Sequence, residues 1–311
     1  MVKLNIELPE GFLEEEERSG YLVSSDMKKV WAVELDLLAE FDRVCRENAV
    51  QYVIGGGSAI GAVRHKGFIP WDDDIDIYML RAEYERLCEI AGDAFSPPYF
   101  WQTEYTDIGS LRGHAQLRNS DTTGIIEFDN GKKRPFNQGI FIDIFPEDNV
   151  VEDKAKLARQ IRQITFLKRI SCKVAGATNS FDEEKYRNNF AAKIFHRIAV
   201  PLCKVFDFER FFYHKMENVC KKYNKREDTV YVNAFGFVPD SPRNYHIRKG
   251  METPVYVDFE FLKVPLSSAY DEDLRRCFGD YMVFVKRRPY HGSTFFDTDR
   301  SYLEYLKSKC P

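Results

Sequence analysis

GGGSAIGAVRHKGFIPWDDDIDIYM, residues 55–79, decides how the rest of this 311-residue chain is read. It opens after a short apolar run, Tyr52 to Ile54, and passes through Gly55, Gly56, Gly57 and Ser58 into a predicted helix over Ala59 to about His65. Glycines let backbone N–H groups approach an anion, and a helix N-terminus favours negative charge. Gly56, Gly57 and Ser58 are therefore candidates for gripping a phosphate, against the plainer reading of a tight turn. From Asp74 to Met79 the sequence alternates: Ile75, Ile77 and Met79 fall on one face, Asp74, Asp76 and Tyr78 on the other. That is the period of a half-buried strand, and it sets the two carboxylates roughly 7 Å apart on one side. At an effective dielectric near 20, such a pair repels by roughly 2 kcal/mol, which a bound cation removes. Magnesium takes hard oxygen ligands, commonly one or two carboxylates with water and substrate phosphates. A solvated acidic turn is the bland alternative. A calcium loop is excluded, because Ile77 stands where that loop requires glycine. Arg64, His65 and Lys66 lie between the two elements. They either offset charge on a transferring phosphoryl group or form a solvated helix end.

On the N-terminal side, residues 1–24 read as an acidic lead-in without the apolar core of a signal peptide. Ser24, Ser25 and Asp26 are capping candidates for a helix to about Asn48, with Val30, Leu37, Phe41, Val44 and Cys45 at helical spacing. On the C-terminal side, Arg81 to Ala91 reads as a helix and 111–145 as β-rich, with Asp129-Asn130-Gly131 in a connection. Gly139 to Phe145 is a strand with Ile140, Ile142 and Ile144 on one face and Phe141, Asp143 and Phe145 on the other. Residues 152–225 are largely helical and basic. Strand signals return at Val230 to Phe235 and Val255 to Val264, and short helices near Asp271 to Phe278 and Ser301 to Lys307 close the chain.

Composition limits the classes. A formal net charge of -4 gives no general drive toward nucleic acid. Seven scattered cysteines without a CxxC pair argue against a disulfide framework or zinc ribbon and fit a reducing compartment. No apolar run is long enough to span a bilayer. Histidine spacing offers no HxxH or HExxH, and no GxSxG elbow, P-loop or GxGxxG is present.

The stretch from Gly56 to Ile77 closely resembles the signature of the LicD family, named for phosphocholine transferases of bacterial surface glycans and similar to fukutin-type ribitol-phosphate transferases. Gly139 to Pro146 resembles that family's second acidic strand. Gln116-Leu117-Arg118 with Thr122 and Thr123 resembles an intervening strand and turn. Phe259-Glu260, Val264-Pro265 and Phe278 to Met282 resemble the C-terminal signature, with His291 as its terminal histidine. Ser58 stands where the family often has threonine, keeping the hydroxyl, and the usual proline pair after Met282 is missing.

The resemblance implies an α+β fold: a nucleotidyltransferase-like core with a mixed β-sheet flanked by helices, plus a helical insertion. The expected division is a catalytic core at 1–150, a helical lobe at 151–225 and a C-terminal part at 226–311 completing the core. It implies Asp74, Asp76 and Asp143 as metal ligands and catalytic carboxylates, for Mg2+ with Mn2+ as the substitute. The residue-level reading agrees on Asp143, since an isolated carboxylate among Phe141, Ile142, Ile144 and Phe145 is costly unless paired or metal-bound. Gly56, Gly57, Ser58, Arg64, His65, Lys66, Arg118 and His291 are the candidate donor-binding residues. The expected reaction moves a phospho-alcohol from a CDP-linked donor to a glycan or glycolipid hydroxyl, releasing CMP. The expected setting is the cytoplasm, at the inner face of a membrane. A nucleotidyltransferase or DxD glycosyltransferase, or a non-catalytic nucleotide or glycan binder, are the alternatives. Arg159, Arg162, Arg169 and Lys173 beside Ile161, Phe166 and Ile170 form either a membrane-facing stripe or a solvated helix face. Lys286, Arg287 and Arg288 form either a phosphate or membrane contact or a polar loop. If the alcohol is a quaternary ammonium it calls for an aromatic cage, for which Tyr99, Phe100, Trp101 and Tyr105 are candidates.

Overall fold

The apolar faces of the two acidic strands turn the same way, and a long helix covers them. This computed structural model describes residues 1–129, 134, 136–179, 193–194, 197–198, 201–202, 205–226, 228–285 and 294–309. Residues 1–24 are no loose lead-in: Val2, Leu4, Ile6 and Phe12 pack on the main core, and β1 (Glu16–Arg18) pairs with β2 (Tyr21–Val23). Glu16 binds Arg18 and the buried Lys28. The Ser24 hydroxyl caps α1 (Ser25–Glu47), accepting from the Met27 N–H at 3.2 Å. Val30, Leu37, Phe41, Val44 and Cys45 are all buried, as their spacing predicts.

Next come β3 (Val53–Ile54), α2 (Gly56–His65), β4 (Asp76–Leu80) and α3 (Arg81–Ala94). The following strands are β5 (Tyr99–Gln102), β6 (Ala115–Asn119), β7 (Thr123–Ile126) and β8 (Ile140–Asn149). Helices α4 (Lys154–Asn179) and α5 (Phe208–Cys220) pack on each other around Ile164, Tyr213 and Met216. The chain closes with β9 (Tyr231–Asn233), β10 (His246–Ile247), α6 (Arg248–Glu252), β11 (Val255–Phe259), β12 (Leu262–Leu266), α7 (Tyr270–Phe278), β13 (Thr294–Asp297) and α8 (Tyr302–Lys309).

The fold is therefore mixed, with helices flanking a nine-stranded sheet ordered β10-β9-β8-β4-β3-β12-β11 and β6 and β5 attached through β8. The β4–β8 and β12–β3 pairs are parallel and the others antiparallel. Strands β9 to β12, after residue 226, thus share the sheet that carries β3 and β4, while β13 pairs with β7 in a separate two-stranded sheet. Strand β8 is the hub, and its Pro146 has a reason to be tolerated. The Asp143 N–H donates to the carbonyl of Ile75, the residue just before β4, so odd-numbered N–H groups of β8 face β4 and even-numbered ones face away. On that far side β6 ends opposite Ile144 and β9 begins opposite Asp148, so the missing N–H of Pro146 falls in the gap.

One expectation shifts. The carboxylate strand was predicted from Asp74, but its ladder begins at Asp76. A turn after Pro70, in which Asp72 donates to the Ile69 carbonyl at 2.9 Å, delivers the chain to the sheet only at Ile75. Asp74 lies in the approach. The alternation itself holds: Ile75, Ile77, Met79, Ile140, Ile142 and Ile144 are in the core under α1, and Asp76, Tyr78, Phe141, Asp143 and Phe145 line the opposite face.

Candidate active site

Helix α2 begins at Gly56, three residues earlier than predicted, with Gly55 as its N-cap. The reason for three glycines is crowding by acids and a ring. A Cβ on Gly55 would fall inside the Tyr78 ring, and one on Gly56 would strike the Asp76 carboxylate. Gly56 also holds φ +53, where a side chain is strained. A Cβ on Gly57 would come 2.7 Å from an Asp72 carboxylate oxygen. The Gly57 N–H donates to the Asp76 carboxylate, so the helix N-terminus holds a carboxylate directly. Ser58 is buried, and its hydroxyl accepts from the Asp76 N–H at 2.9 Å. It fixes Asp76 and lines neither cavity of the site.

Asp76 and Asp143 are register partners on adjoining parallel strands, so their side chains stand side by side on one face. Their surroundings differ. Burial, then Asp74, Asp143 and Asp72, push the Asp76 carboxyl well above the usual carboxylate range. Burial also works to raise Asp143, but His114 and Gln116 outweigh it and hold the group below its ordinary value. Both donors use the same oxygen: His114 Nε2 lies 3.1 Å and Gln116 Nε2 2.5 Å from Asp143 Oδ1. Gln116 is itself held by Arg118, whose guanidinium also reaches Gln102 Oε1 and the Gly139 carbonyl.

Two cavities meet on this face. One of about 630 Å³ is lined by Gly55, Gly56 and Gly57, by Asp72, and by residues of α7 and of the 238–244 loop. The other, about 330 Å³, is lined by Arg112, His114, Gln116 and Asp143. Asp74, Asp76, Tyr78, Phe237 and His246 line both. Both volumes lie in the range of small-molecule sites.

Among the described residues, no three His, Cys, Asp or Glu side chains form a ready-made metal cage. The donor set nonetheless suits a hard cation that brings its own water and phosphate ligands. The oxygens are carboxylate oxygens, and Asp76 shows the accumulated negative charge of Asp74, Asp143 and Asp72.

The other candidates are placed elsewhere. Arg64, His65 and Lys66 sit at the far end of α2 and line neither cavity. Arg64 donates to the carbonyls of Tyr281 and Val283, and His65 stacks on Phe284, with burial lowering its pKa to about 4. Lys66 terminates the helix in the left-handed conformation. Arg118 is buried, with its guanidinium on Gln102, Gly139 and Gln116, and burial brings its pKa to about 9. His291 and Lys286, Arg287 and Arg288 lie outside the described residues, as do Asn130 and Gly131. The proposed cage does not form: Tyr99 and Trp101 are in the main core and Tyr105 packs on Tyr213 of α5. The inward face of β5 claims Tyr99 and Trp101. Arg159, Arg162, Arg169, Lys173 and Phe166 are exposed on α4, which both readings of that stripe allow.

Five side chains were missed. His114 and Gln116 carry no local motif; only the pairing of β6 with β8 brings them to Asp143. His246 ion-pairs with the buried Glu147 at 3.3 Å. Burial works against a charge on His246, but Glu147 prevails and raises its pKa to about 10. Glu147 continues the Asp143–Phe145 alternation by one step, which was a usable signal. Glu34 of α1 is also buried, with neither carboxylate oxygen hydrogen-bonded.

Residues 49–160 match the family described as LicD/FKTN/FKRP, nucleotidyltransferase domain. The chain is 25% identical over 264 residues to the lipopolysaccharide cholinephosphotransferase LicD of Haemophilus influenzae, covering 83% of this chain and 92% of that protein. An uncharacterized protein of Rickettsia prowazekii is 33% identical over 94 residues, 30% of this chain and 32% of its own length. The glycine turn, Asp74, Asp76 and Asp143 all fall within the matched segment, so residues 49–160 carry a nucleotidyltransferase domain of the LicD/FKTN/FKRP type.

Proposed function

We propose that this protein transfers a phospho-alcohol, phosphocholine or a close analogue, from a CDP-linked donor to a hydroxyl of a glycan or glycolipid, releasing CMP. The observation that supports this most is the wall shared by the two cavities. There Asp74 and Asp76 stand between a glycine-flanked cavity of nucleotide size and a second cavity holding Asp143. The name of the Haemophilus relative agrees with a cholinephosphotransferase acting on lipopolysaccharide.

Asp74, Asp76 and the Oδ2 oxygen of Asp143 would hold Mg2+, or Mn2+ in its place. When bound, the ion stabilises negative charge on the phosphate oxygens. The chain's own residues do the rest. The backbone of Gly55 to Gly57 leaves room for the pyrophosphate beside the helix N-terminus. His114 and Gln116 orient Asp143 so that it accepts the proton of the attacking hydroxyl. His246, paired with Glu147, keeps a positive charge at the junction where the diphosphate lies. The acceptor oxygen attacks the phosphorus bearing the alcohol, the bond to the CMP oxygen breaks, and CMP carries away the electron pair.

Among the described residues no helix is long and apolar enough to cross a membrane. We place the reaction on the cytoplasmic face, with the exposed basic stripe of α4 as a peripheral contact. Thermal-shift titrations with CMP and CDP-alcohols, with and without Mg2+, test the donor class. The expected result is a shift requiring both ion and cytidine nucleotide, and CMP as the released product. Release of pyrophosphate, or of CDP with a moved sugar, overturns the reading in favour of a nucleotidyltransferase or a glycosyltransferase.

A further inference from the structure

Helix α5 has one apolar face more than its packing uses. Tyr213, Met216 and Cys220 recur at the spacing of an inward face and are buried against α4. Phe208 and Phe211 lie on the opposite side, where a helix facing water is polar, and both are exposed. Their rings are linked to others. Phe206 stacks on Phe208 with centroids 5.7 Å apart, and Phe212 lies 6.3 Å from Phe208 and 5.3 Å from Phe211. The chain leading into them adds a second stripe. The described residues of 193–205 are all helical, and Ile194, Ile198, Leu202 and Val205 recur every three or four residues, which sets them on one side. All four are exposed. Ile198, Val205, Phe206 and Phe211, with Phe166 of α4, are each at least 50 % exposed, and none of the five joins a core cluster among the described residues. Single surface apolar residues are ordinary, but a connected group of them marks a contact.

We propose that this helical lobe docks on an anionic bilayer, its apolar surface at 194–211 entering the headgroup boundary while the surrounding cations meet lipid phosphate. The proposal rests on the glycolipid reading of the acceptor and names the surface on which that acceptor is met. The basic stripe of α4 supplies charge alone; the apolar surface adds an anchor. Charge selects the occupant. Residues 152–225 hold 17 Lys and Arg against 8 Asp and Glu, in a chain whose formal net charge is -4. Lys193 and Arg197 each precede an apolar residue of the stripe, and Lys215 Nζ lies over the Phe211 ring, 5.5 Å from its centroid. Asp207 is already paired with Arg210. Phenylalanine and isoleucine beside long cationic side chains suit a bilayer boundary, where the apolar groups enter and the cations stay at the phosphates. A second copy of this chain fits worse, because a symmetric contact presses one basic lobe on another. The lobe is also tied to the site. Lys168 of α4 donates to the carbonyls of Gly236 and Phe237 at 2.7 and 3.0 Å, and Phe237 lines both cavities. A lobe seated on lipid thus links the cavity loop to the surface that carries the acceptor.

Co-sedimentation of the full-length protein with vesicles tests this. Vesicles of phosphatidylethanolamine with phosphatidylglycerol supply the anionic surface, and vesicles of phosphatidylcholine alone the neutral one. The wild type should partition onto the anionic vesicles, only weakly onto the neutral ones, and less as salt is raised. Phe211→Ser and Ile198→Ser, in separate segments, should each lower the partition coefficient by about 10-fold, the scale of one buried apolar side chain. Melting temperature and CMP binding with Mg2+ should stay unchanged, since both side chains are exposed and line neither cavity. Wild-type protein that stays in the supernatant with anionic vesicles overturns the docking. So does binding that salt abolishes but neither variant weakens, since charge alone then carries it. Self-association without vesicles that both variants abolish also overturns it, and assigns the surface to a second copy. None of these outcomes touches the donor reading, which falls if CMP fails to bind the wild type.

Discussion

Strands β4 and β8 present neighbouring carboxylates at the same level of one sheet, and treat them in opposite ways. On β4, Asp76 lies against glycine backbone with Asp74 and Asp72 close by, and its ionised form is disfavoured. On β8, Asp143 is braced by His114 and Gln116, and its ionised form is favoured. Under the proposed function these two acids of one kind take two tasks. A crowded carboxylate gains most from a cation, and a braced one keeps a fixed direction and a ready negative charge. The comparison explains why, among the described residues, no three acids form a closed cage: the set is asymmetric, and substrate phosphates would complete it.

The sharpest way to break this contrast is Asp76→Asn. It removes the crowded charge and keeps the shape. Turnover should fall by about 10²–10³-fold, the usual cost of losing a charge-stabilising group. Removing like-charge crowding should leave the melting temperature of the metal-free protein unchanged or raised. Near-normal turnover in a steady-state assay would refute the role given to the β4 wall.

His114→Phe tests the other wall. The ring keeps its contacts with Phe145 and Phe237, 4.4 and 5.2 Å away by centroid, and loses only the nitrogen facing Asp143. Outer partners of functional carboxylates typically contribute 10–100-fold, so kcat should drop by about that factor. The donor KM should move little. A large rise in KM with kcat preserved would show that His114 holds the donor and does not orient Asp143.

Gly56→Ala probes what lets the two walls coexist. A Cβ at φ +53 strains the backbone and drives against the Asp76 carboxylate. The expected loss is about 1–2 kcal/mol of stability in denaturant unfolding, with turnover reduced because Asp76 is displaced. Unchanged stability would mean that the helix start tolerates a side chain, and that the glycine serves something other than close approach.

How much of this was legible beforehand follows the range of the interactions. The alternation at 74–79 and 139–145 placed Asp76 and Asp143 on the cavity face correctly, because strand period is local. The cap at Ser24 and the buried stripe of α1 were legible for the same reason. His114 and Gln116 were not, because their role exists only through the register of β6 on β8. Arg64 to Lys66 looked adjacent to the site in sequence, but the ten-residue helix α2 carries them to its far end, about 15 Å along its axis. The aromatic run at 99–105 resembled a cage by composition. The side-chain alternation of β5 sends Tyr99 and Trp101 into the core.

Glu34 gives the comparison its subtlest test, since it is a carboxylate beneath the site with neither a cation nor a donor. Burial raises its pKa well above the ordinary value of 4.5, and Asp74, Asp73, Asp72 and Asp143 add to the effect. For a raised acid, the folded state binds a proton that the unfolded state has released. Its stabilising contribution is complete below about pH 4.5, and is lost as pH rises toward the folded pKa. Glu34→Gln cannot ionise and escapes that loss. In the metal-free protein the variant should match the wild type near pH 4.5. It should become progressively more stable than the wild type as pH rises toward neutrality. Paired denaturant unfolding at several pH values measures the difference. A constant gap would show that Glu34 has the same pKa folded and unfolded, and hence that a charge beneath the acidic loop is tolerated without a partner.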